Sequence, residues 1–273
     1  MKRVVITGST GLVGSRIVEI LGKQFELIPL TQALCDITKP DSVHEALEHT
    51  EYDLLLHLAA YTNVDQAENN KELAYGINVT GTRNLFTETQ RKSKPFIYIS
   101  TDFVFDGKEQ FYNEDSAPHP LGYYGQTKHE GELIVKNKGM IVRISYPYRA
   151  PYGGKPDFVQ RIRALLTKKV PLAMVTDSIF TPTYIDDIAH GLAYLCNHYS
   201  PSLFHLVGSS SLSPYEAGKL IAQKYGLDAS PITQTTYDEY FTGKALRPKM
   251  SKIVSNKIAF IPMHSFEDGL KAI

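Results

Sequence analysis

The sequence predicts an α/β protein, with a doubly wound parallel sheet and a smaller α/β lobe. Short apolar runs that suit buried strands alternate with segments of helical periodicity from Arg3 to Ile144. A glycine-rich turn lies between the first strand and the first helix. The chain has 273 residues, which is long enough for such a domain with an added lobe. Ligands of these sheets bind at the carboxyl ends of the strands.

The first strand, Arg3 to Ile6, leads into glycines spaced as GxxGxxG. Gly8 permits a tight turn, Gly11 lets the backbone approach a pyrophosphate, and Gly14 lets the helix pack closely. The free amides of the helix N-terminus suit phosphate groups. This placement predicts a Rossmann-type dinucleotide site.

The second strand, Phe25 to Leu30, ends without the acidic residue that often binds the adenine ribose. Arg16, just past the glycine turn, is a candidate contact for a 2′-phosphate. We favour the other interpretation of Arg16, a solvated residue on the first helix. The cofactor is thus predicted to be NADP(H) or NAD(H), with a slight preference for NADP(H).

The third strand, Asp53 to Leu58, ends in small residues that would let a cofactor lie against the backbone. We interpret His57 as a packed strand residue. A long helix is predicted from Glu72 to Arg91. It carries Asn78 within its apolar face, where a buried amide needs a partner.

After the fourth strand, Phe96 to Ile99, comes a Ser-Thr-Asp triplet, and a helical pattern begins at Tyr124. Tyr124 and Lys128 are four residues apart and so share a helix face. A cation favours the phenolate, so the phenol could exchange a proton nearer neutral pH. Thr101 could hydrogen-bond the reacting oxygen. Alone, this spacing is also typical of surface helices.

Composition excludes several classes of function. The formal net charge is zero. The chain therefore lacks the excess of basic residues that is typical of proteins that bind nucleic acid or anionic membranes. We expect no membrane span and no signal peptide. Cys35 and Cys196 have no metal-ligand spacing, and no other compact ligand set is visible, so no metal site is predicted within the chain, and a metal at a subunit interface is left open. A reducing, cytoplasmic setting is expected.

The second half is less informative. After a strand from Met140 to Ile144, helices are predicted from Asp157 to Lys168 and from Thr181 onward, with a strand at Leu203 to Leu206. Ser213 is predicted to be an N-cap, with a proline and a capping-box glutamate after it.

These motifs together resemble the extended short-chain dehydrogenase/reductase superfamily. The matching parts, in order, are Gly8-x-x-Gly11-x-x-Gly14, Leu58-Ala59-Ala60-Tyr61, Ser100-Thr101-Asp102 and Tyr124-x-x-x-Lys128. Within it the chain is most similar to the dTDP-4-dehydrorhamnose reductases, in the stretches 59–68, 100–107 and 124–132.

The resemblance implies that Tyr124 is the general acid, that Lys128 lowers its pKa and holds the nicotinamide ribose, and that Thr101 binds the substrate carbonyl. It implies a cofactor site formed by Gly8, Thr10, Gly11, Leu12, Val13, Gly14, Asp36, Ile37, Ala59, Ala60, Tyr61, Asn78, Tyr124 and Lys128. It implies a nucleotide-sugar site formed by Thr101, Asp102, Val104, Phe105 and Arg247. The expected reaction is reduction of the C4 ketone of a nucleotide-linked 4-keto-6-deoxysugar, foremost dTDP-4-dehydro-L-rhamnose.

Two departures from the family pattern lie in the second half: Phe180 replaces a glycine, and Tyr146 stands where we expect tryptophan. They leave the sugar open. The predicted division is a cofactor domain of residues 1–147 and 181–208 and a substrate lobe of residues 148–180 and 209–273. We also leave a homodimer open.

Four alternatives remain. An epimerase or a dehydratase would use the same Tyr-Lys pair, although Phe103 after Asp102 disfavours a dehydratase. A non-catalytic NADP-binding regulatory subunit would resemble the β subunit of methionine adenosyltransferase. A reductase of an unrelated carbonyl is the fourth.

Overall fold

The computed structural model describes residues 1–151 and 153–273. Its strands are β1 (Lys2–Thr7), β2 (Phe25–Leu30), β3 (Leu54–His57), β4 (Phe96–Thr101), β5 (Met140–Ile144), β6 (Pro147–Tyr148), β7 (Leu172–Val175), β8 (Thr183–Tyr184), β9 (Leu203–His205) and β10 (Ile232–Thr235). Six of them form one parallel sheet in the order β2-β1-β3-β4-β5-β9. The predicted α/β architecture is confirmed.

The helices alternate with these strands. They are α1 (Leu12–Leu21), α2 (Pro40–Glu48), α3 (Val64–Asn69), α4 (Lys71–Tyr75), α5 (Thr82–Arg91), α6 (Tyr123–Val135), α7 (Phe158–Thr167), α8 (Ile185–Asn197), α9 (Pro214–Lys224), α10 (Tyr237–Phe241) and α11 (Phe266–Lys271). Among the described residues, no helix is both long and apolar enough to cross a membrane.

The sheet buries a separate apolar cluster on each face. One cluster joins β1, β3, β4 and β5 to α1 and α8, and the other joins the same strands to α2, α5 and α6. Each buried aliphatic side chain contributes about 1.5–3 kcal/mol. Helices on both faces fix the strand ends, and with them the loops that form the site.

The predicted helix from Glu72 to Arg91 is not uniform. Residues Gly76–Gly81 form a π-helical turn between α4 and α5. Asn78 lies in this turn, and its amide bonds the backbone of Tyr61 through both of its polar atoms. Periodicity did not reveal this irregularity, because a single π turn is too short to be distinguished from ordinary scatter in a helical pattern.

A third apolar cluster lies outside the main sheet. It includes Tyr148, Val159, Phe180, Ile221 and Phe266. The strands β7 and β10 pair beside it, and α9 begins with the predicted capping box. This separate core supports the proposed substrate lobe, whose boundaries stay a prediction.

Candidate active site

The glycine-rich turn packs on the carboxyl end of β3. Gly8 has a φ of +70°, and a Cβ atom on it would lie 2.7 Å from the amide nitrogen of Ala59. A Cβ on Gly14 would lie 2.1 Å from the carbonyl oxygen of Gly8. Gly11 is the N-cap of α1, is exposed, and receives no capping side chain. The Gly11 amide donates to the Gly8 carbonyl at 3.0 Å, whereas the amides that begin α1 have no acceptor within the helix and can bind a phosphate, so this cradle fits a dinucleotide.

Other predicted cofactor contacts lie at the start of α1 and in the segment after β2. Thr10 is exposed, and Leu12 and Val13 begin α1 with partly exposed side chains. Asp36 lies in the turn after β2, where its carboxylate accepts hydrogen bonds from the amide and hydroxyl of Thr38. These bonds lower the pKa of Asp36.

Ile37 packs against the π-helical turn. A Cβ atom on Gly81 would lie 2.7 Å from the Ile37 side chain, and the Ile37 carbonyl accepts from Asn84. The loop that is expected beside the adenine is therefore anchored to the sheet's helical layer.

Arg16 does not point to an open ribose site. Its guanidinium donates to Asp186 at 2.7 and 2.6 Å and to Glu19 at 2.9 Å. The candidate contact with a 2′-phosphate would have to replace these pairs. The slight preference for NADP(H) then depends only on the missing acid after β2.

Asn78 organises the loop after β3. Its side chain accepts from the Tyr61 amide at 2.8 Å and donates to the Tyr61 carbonyl at 3.1 Å. It also donates to the hydroxyl of Thr127 on α6 at 2.9 Å. The predicted cofactor segment of Ala59, Ala60 and Tyr61 is thereby tied to the helix that carries Tyr124.

His57 is a packed residue, as interpreted from the sequence. Its ring nitrogens lie 2.7 Å from the Thr7 hydroxyl and 3.0 Å from the Thr82 hydroxyl. Burial, with the charge of Lys128, lowers its pKa to about 3. The ring is therefore neutral at physiological pH.

Lys128 is buried beside the end of β4. Its Nζ donates to the carbonyl of Ile99 at 2.7 Å and lies 4.1 Å from the ring centre of Tyr98. Burial lowers its pKa to about 7, although the charge of Glu132 acts in the opposite direction. The ammonium is thus poised between two protonation states.

Tyr124 lies one turn before Lys128, with 8% of its surface exposed. The expectation that the lysine brings the pKa of Tyr124 toward neutrality is not met. Burial raises the pKa of the phenol well above its usual value, and the charge of Asp102 adds to this. A hydrogen bond with Thr101 lowers the pKa of Tyr124. The pKa stays raised because the desolvation of a phenolate outweighs one hydrogen bond.

Thr101 is the last residue of β4, and its hydroxyl lies close enough to the Tyr124 phenol to act on the pKa of that group. The Thr101 hydroxyl accepts from the amide of Phe103 and donates to Asp102 at 3.1 Å. Asp102 is 1% exposed, and its other oxygen accepts from Ser251 at 2.5 Å. The carboxylate is therefore enclosed, and the structure does not present it to a ligand.

Val104 and Phe105 are placed differently from the predicted substrate contacts. Both side chains are fully buried in a cluster with Tyr112, Val207 and Ile253. Their side chains therefore belong to a small apolar core that follows β4 and are not exposed to a ligand. The sequence pattern could not separate a lining side chain from a supporting one.

Arg247 comes from the C-terminal segment and forms an ion pair with Asp65 of α3. Its guanidinium lies 4.4 Å from the ring centre of Phe241. A cavity of about 490 Å³ lies beside it, between α3 and the loop at 243–246. The cavity does not include Thr101, Tyr124 or Lys128.

Aromatic residues outside the predicted set of site residues pack beside Tyr124. Phe103 meets the Tyr124 ring edge-on at 5.5 Å and lies 6.2 Å from the Tyr146 ring. Tyr146 has a φ of +39° and contacts Phe180 at 4.7 Å. The two departures from the family pattern therefore touch each other, which the linear sequence could not show.

One cluster in the described residues has metal-ligand chemistry that spacing did not reveal. The ligand atoms of His44, Glu48 and Glu88 lie within 4.8 Å of one another. Arg91 donates to both glutamates, so its guanidinium already balances the negative charge of this cluster. It lies on α2 and α5, away from Tyr124.

Comparison with known proteins places the whole chain in one family. The sequence model described as the RmlD substrate binding domain matches residues 1–273. The spore coat polysaccharide biosynthesis protein SpsK of Bacillus subtilis is 33% identical over 92% of this chain and 88% of its own. The dTDP-4-dehydrorhamnose reductase of Aggregatibacter actinomycetemcomitans is 31% identical over 94% and 92%.

Solved structures agree. The crystal structure of dTDP-4-dehydrorhamnose reductase from Bacillus anthracis in complex with NADP shares 33% identity and has a TM-score of 0.92, covering 100% of this chain and 98% of that one. The chain therefore belongs to the RmlD substrate binding domain family and is an oxidoreductase of the extended short-chain dehydrogenase/reductase type.

Proposed function

We propose that this protein uses NADPH or NADH to reduce the C4 ketone of a nucleotide-linked 4-keto-6-deoxysugar, converting dTDP-4-dehydro-L-rhamnose to dTDP-L-rhamnose. The observation that carries the proposal is the placement of Tyr124 and Thr101 together at the carboxyl edge of the sheet, with Lys128 one turn away. The relatives named as reductases of this sugar support the choice of substrate.

The chain's residues divide the chemistry. A bound nicotinamide supplies the hydride. The glycine turn binds the pyrophosphate, and Lys128 holds the ribose by its ammonium. Thr101 orients the ketone oxygen, and Tyr124 gives it a proton as the alcohol forms. Arg247 binds the diphosphate of the substrate after it is released from Asp65.

Burial of the site suits this reaction. A phenol with a raised pKa keeps its proton until negative charge develops on the substrate oxygen, and in a dry site this attraction is strong. The proposal takes NADP(H) as the preferred coenzyme, because no acidic residue follows β2 to bind the adenine ribose.

The test is loss of NADPH or NADH absorbance on mixing the protein with dTDP-4-dehydro-L-rhamnose generated in place. We expect oxidation that Tyr124→Phe abolishes, while the neighbouring Tyr123→Phe keeps it, because Tyr123 is partly exposed and lies beside Lys71. Cofactor binding should survive in both variants.

Two results would contradict the proposal. Equal turnover in Tyr124→Phe would remove the assigned acid. Cofactor binding without oxidation of any 4-keto sugar nucleotide would favour the regulatory-subunit alternative.

A further inference from the structure

Asp102 is a buried carboxyl group without a cation. In the described parts of the chain, 1–151 and 153–273, no arginine, lysine or histidine forms a salt bridge with it. Its side-chain neighbours are hydroxyls: Thr101 at 3.1 Å, Ser251 at 2.5 Å, and Ser145, whose hydroxyl also acts on the pKa of the carboxyl group. A buried carboxylate of this kind lacks the charge partner that such groups usually have.

The number of protons at Thr101 is the central constraint. A hydroxyl has one hydrogen to donate. If Asp102 is ionised, it can only accept, so the Thr101 hydrogen points to Asp102 and is not available to a ketone. If Asp102 holds a proton, it can donate to Thr101, whose own hydrogen is then free to bind the substrate oxygen.

Ser251 makes the arrangement rigid. Its hydroxyl holds the second Asp102 oxygen, and its backbone is held on both sides: its amide donates to the Ile179 carbonyl at 2.8 Å and its carbonyl accepts from Thr181 at 3.1 Å. The C-terminal segment therefore fixes the plane of the carboxyl group.

We propose that Asp102 is a positioning residue which, held by Ser251, carries a proton in the reactive enzyme and thereby directs the Thr101 hydroxyl toward the substrate ketone. The proposal rests on the proposed function, since it concerns how Thr101 binds the substrate. It assigns to Asp102 a role behind Thr101 and not a direct contact with the sugar.

Electrostatics support this assignment. Burial raises the pKa of Asp102, whereas hydrogen bonds from hydroxyl groups lower it. The titratable groups that face it are the phenols of Tyr124 on α6 and Tyr146 after β5. An ionised Asp102 raises the pKa of both, so a neutral Asp102 also makes Tyr124 a better acid.

The test compares Asp102→Asn with Asp102→Ala and Ser251→Ala. An amide keeps one donor and one acceptor in the same plane, so Asp102→Asn mimics the protonated acid at every pH. We expect Asp102→Asn to keep kcat within about fivefold, and its alkaline limb to move to higher pH. We expect Asp102→Ala to lose about tenfold or more in kcat with an unchanged Kd for NADPH.

Ser251→Ala should fall between these variants, and Asp115→Asn, on an exposed loop carboxylate, is the matched control with wild-type kinetics. Equal defects in folded Asp102→Asn and Asp102→Ala would overturn the proposal, as would an alkaline limb that Asp102→Asn leaves in place. A merely structural role would change the unfolding midpoint and not the pH profile.

A second readout does not need turnover. The infrared difference between the wild type and Asp102→Asn, each with NADPH bound at pH 7, should contain the C=O stretch of a protonated carboxyl group. Absence of that band would overturn the inference. If the band is present but no 4-keto sugar nucleotide is reduced, the proposed function fails and the protonated carboxyl remains established.

Discussion

The side chain of Lys128 lies over the buried ring of Tyr98, with Nζ 4.1 Å from the ring centre, while the Tyr98 hydroxyl donates to the Lys128 carbonyl at 3.2 Å. The two residues thus hold each other across α6 and β4. This contact keeps a lysine inside the protein with only 3% of its surface exposed. The ring and the Ile99 carbonyl replace part of the lost hydration.

The burial of Lys128 predicts a pH-dependent stability. The pKa of Lys128 falls to about 7 in the folded protein, whereas it is near 10.4 in an unfolded chain. Between these values the unfolded state binds more protons. The free energy of unfolding therefore rises with pH across this window, by at most about 1.4 kcal/mol per pH unit.

Lys128→Met should remove this slope, because methionine fills a similar volume and does not titrate. The measurement is chemical denaturation from pH 6.5 to 9.5, taken as the difference between the two proteins so that other groups cancel. Parallel curves would contradict the assigned burial. Lys92→Met, which also changes a lysine near an aromatic ring, should leave the slope unchanged.

The buried pair of Glu132 and Arg143 predicts a large loss of stability when one partner is removed. Arg143 donates to both carboxylate oxygens, at 2.8 and 2.7 Å. Burial alone would raise the pKa of Glu132, but Arg143 lowers it to about 2. Glu132→Gln leaves the arginine buried without its counter-charge, which we expect to cost about 3–5 kcal/mol.

The same pair also gives a direction for acid unfolding. The stabilisation from Glu132 is complete above its unfolded pKa, near 4.3, and is lost as pH falls toward 2.

The double variant Glu132→Gln/Arg143→Met should recover much of the stability in urea, because neither residue then leaves a buried charge without its partner. If both variants were equally unstable, packing and not charge would explain the single-variant loss.

Gly131 lets α6 pack closely against Tyr98 of β4. A Cβ atom at this position would lie 2.2 Å from the Tyr98 hydroxyl oxygen. Alanine is the better helix former by about 1 kcal/mol, but the clash must displace the helix or the ring, which typically costs about 1–3 kcal/mol. We expect the clash to dominate, so Gly131→Ala lowers both stability and kcat.

Gly153→Ala is the matched control, since a Cβ atom there meets nothing within 4 Å. Thermal unfolding and turnover of the two variants check the prediction. A Gly131→Ala protein as stable and active as Gly153→Ala would show that α6 has room to move.

The sequence predicted the sheet and the residues at its carboxyl edge because both follow local rules. Alternating apolar runs and a glycine turn identify strands, helices and a phosphate cradle without knowledge of distant contacts. The bounds of β2 and β5 agree with the structure for this reason. Tyr124 and Lys128 share a helix face by spacing alone.

The remaining features depend on contacts between distant segments. The carboxyl group of Asp102 is enclosed because Ser251, far along the chain, folds onto it, and Arg16 is engaged by Asp186 from α8. Tyr146 and Phe180 are far apart in the sequence and meet only in the folded protein. Local periodicity has no information about such pairs, so burial of Val104 and Phe105 could not be predicted either.

The residues that follow β2 are expected to determine whether the protein prefers NADPH or NADH. No acidic residue follows Leu30, and Gln32 is exposed there. A carboxylate at this position would bind ribose hydroxyls and repel a 2′-phosphate. Gln32→Asp should therefore lower kcat/KM for NADPH by about tenfold or more while leaving NADH within a few-fold.

Arg16 provides the contrasting variant. Because its guanidinium is engaged by Asp186 and Glu19, Arg16→Ala should leave the NADPH to NADH ratio of kcat/KM unchanged and lower only the unfolding midpoint. Steady-state kinetics with both coenzymes measure the ratio. A selective fall in kcat/KM for NADPH in Arg16→Ala would contradict this expectation and show that the guanidinium leaves its carboxylates to bind the 2′-phosphate.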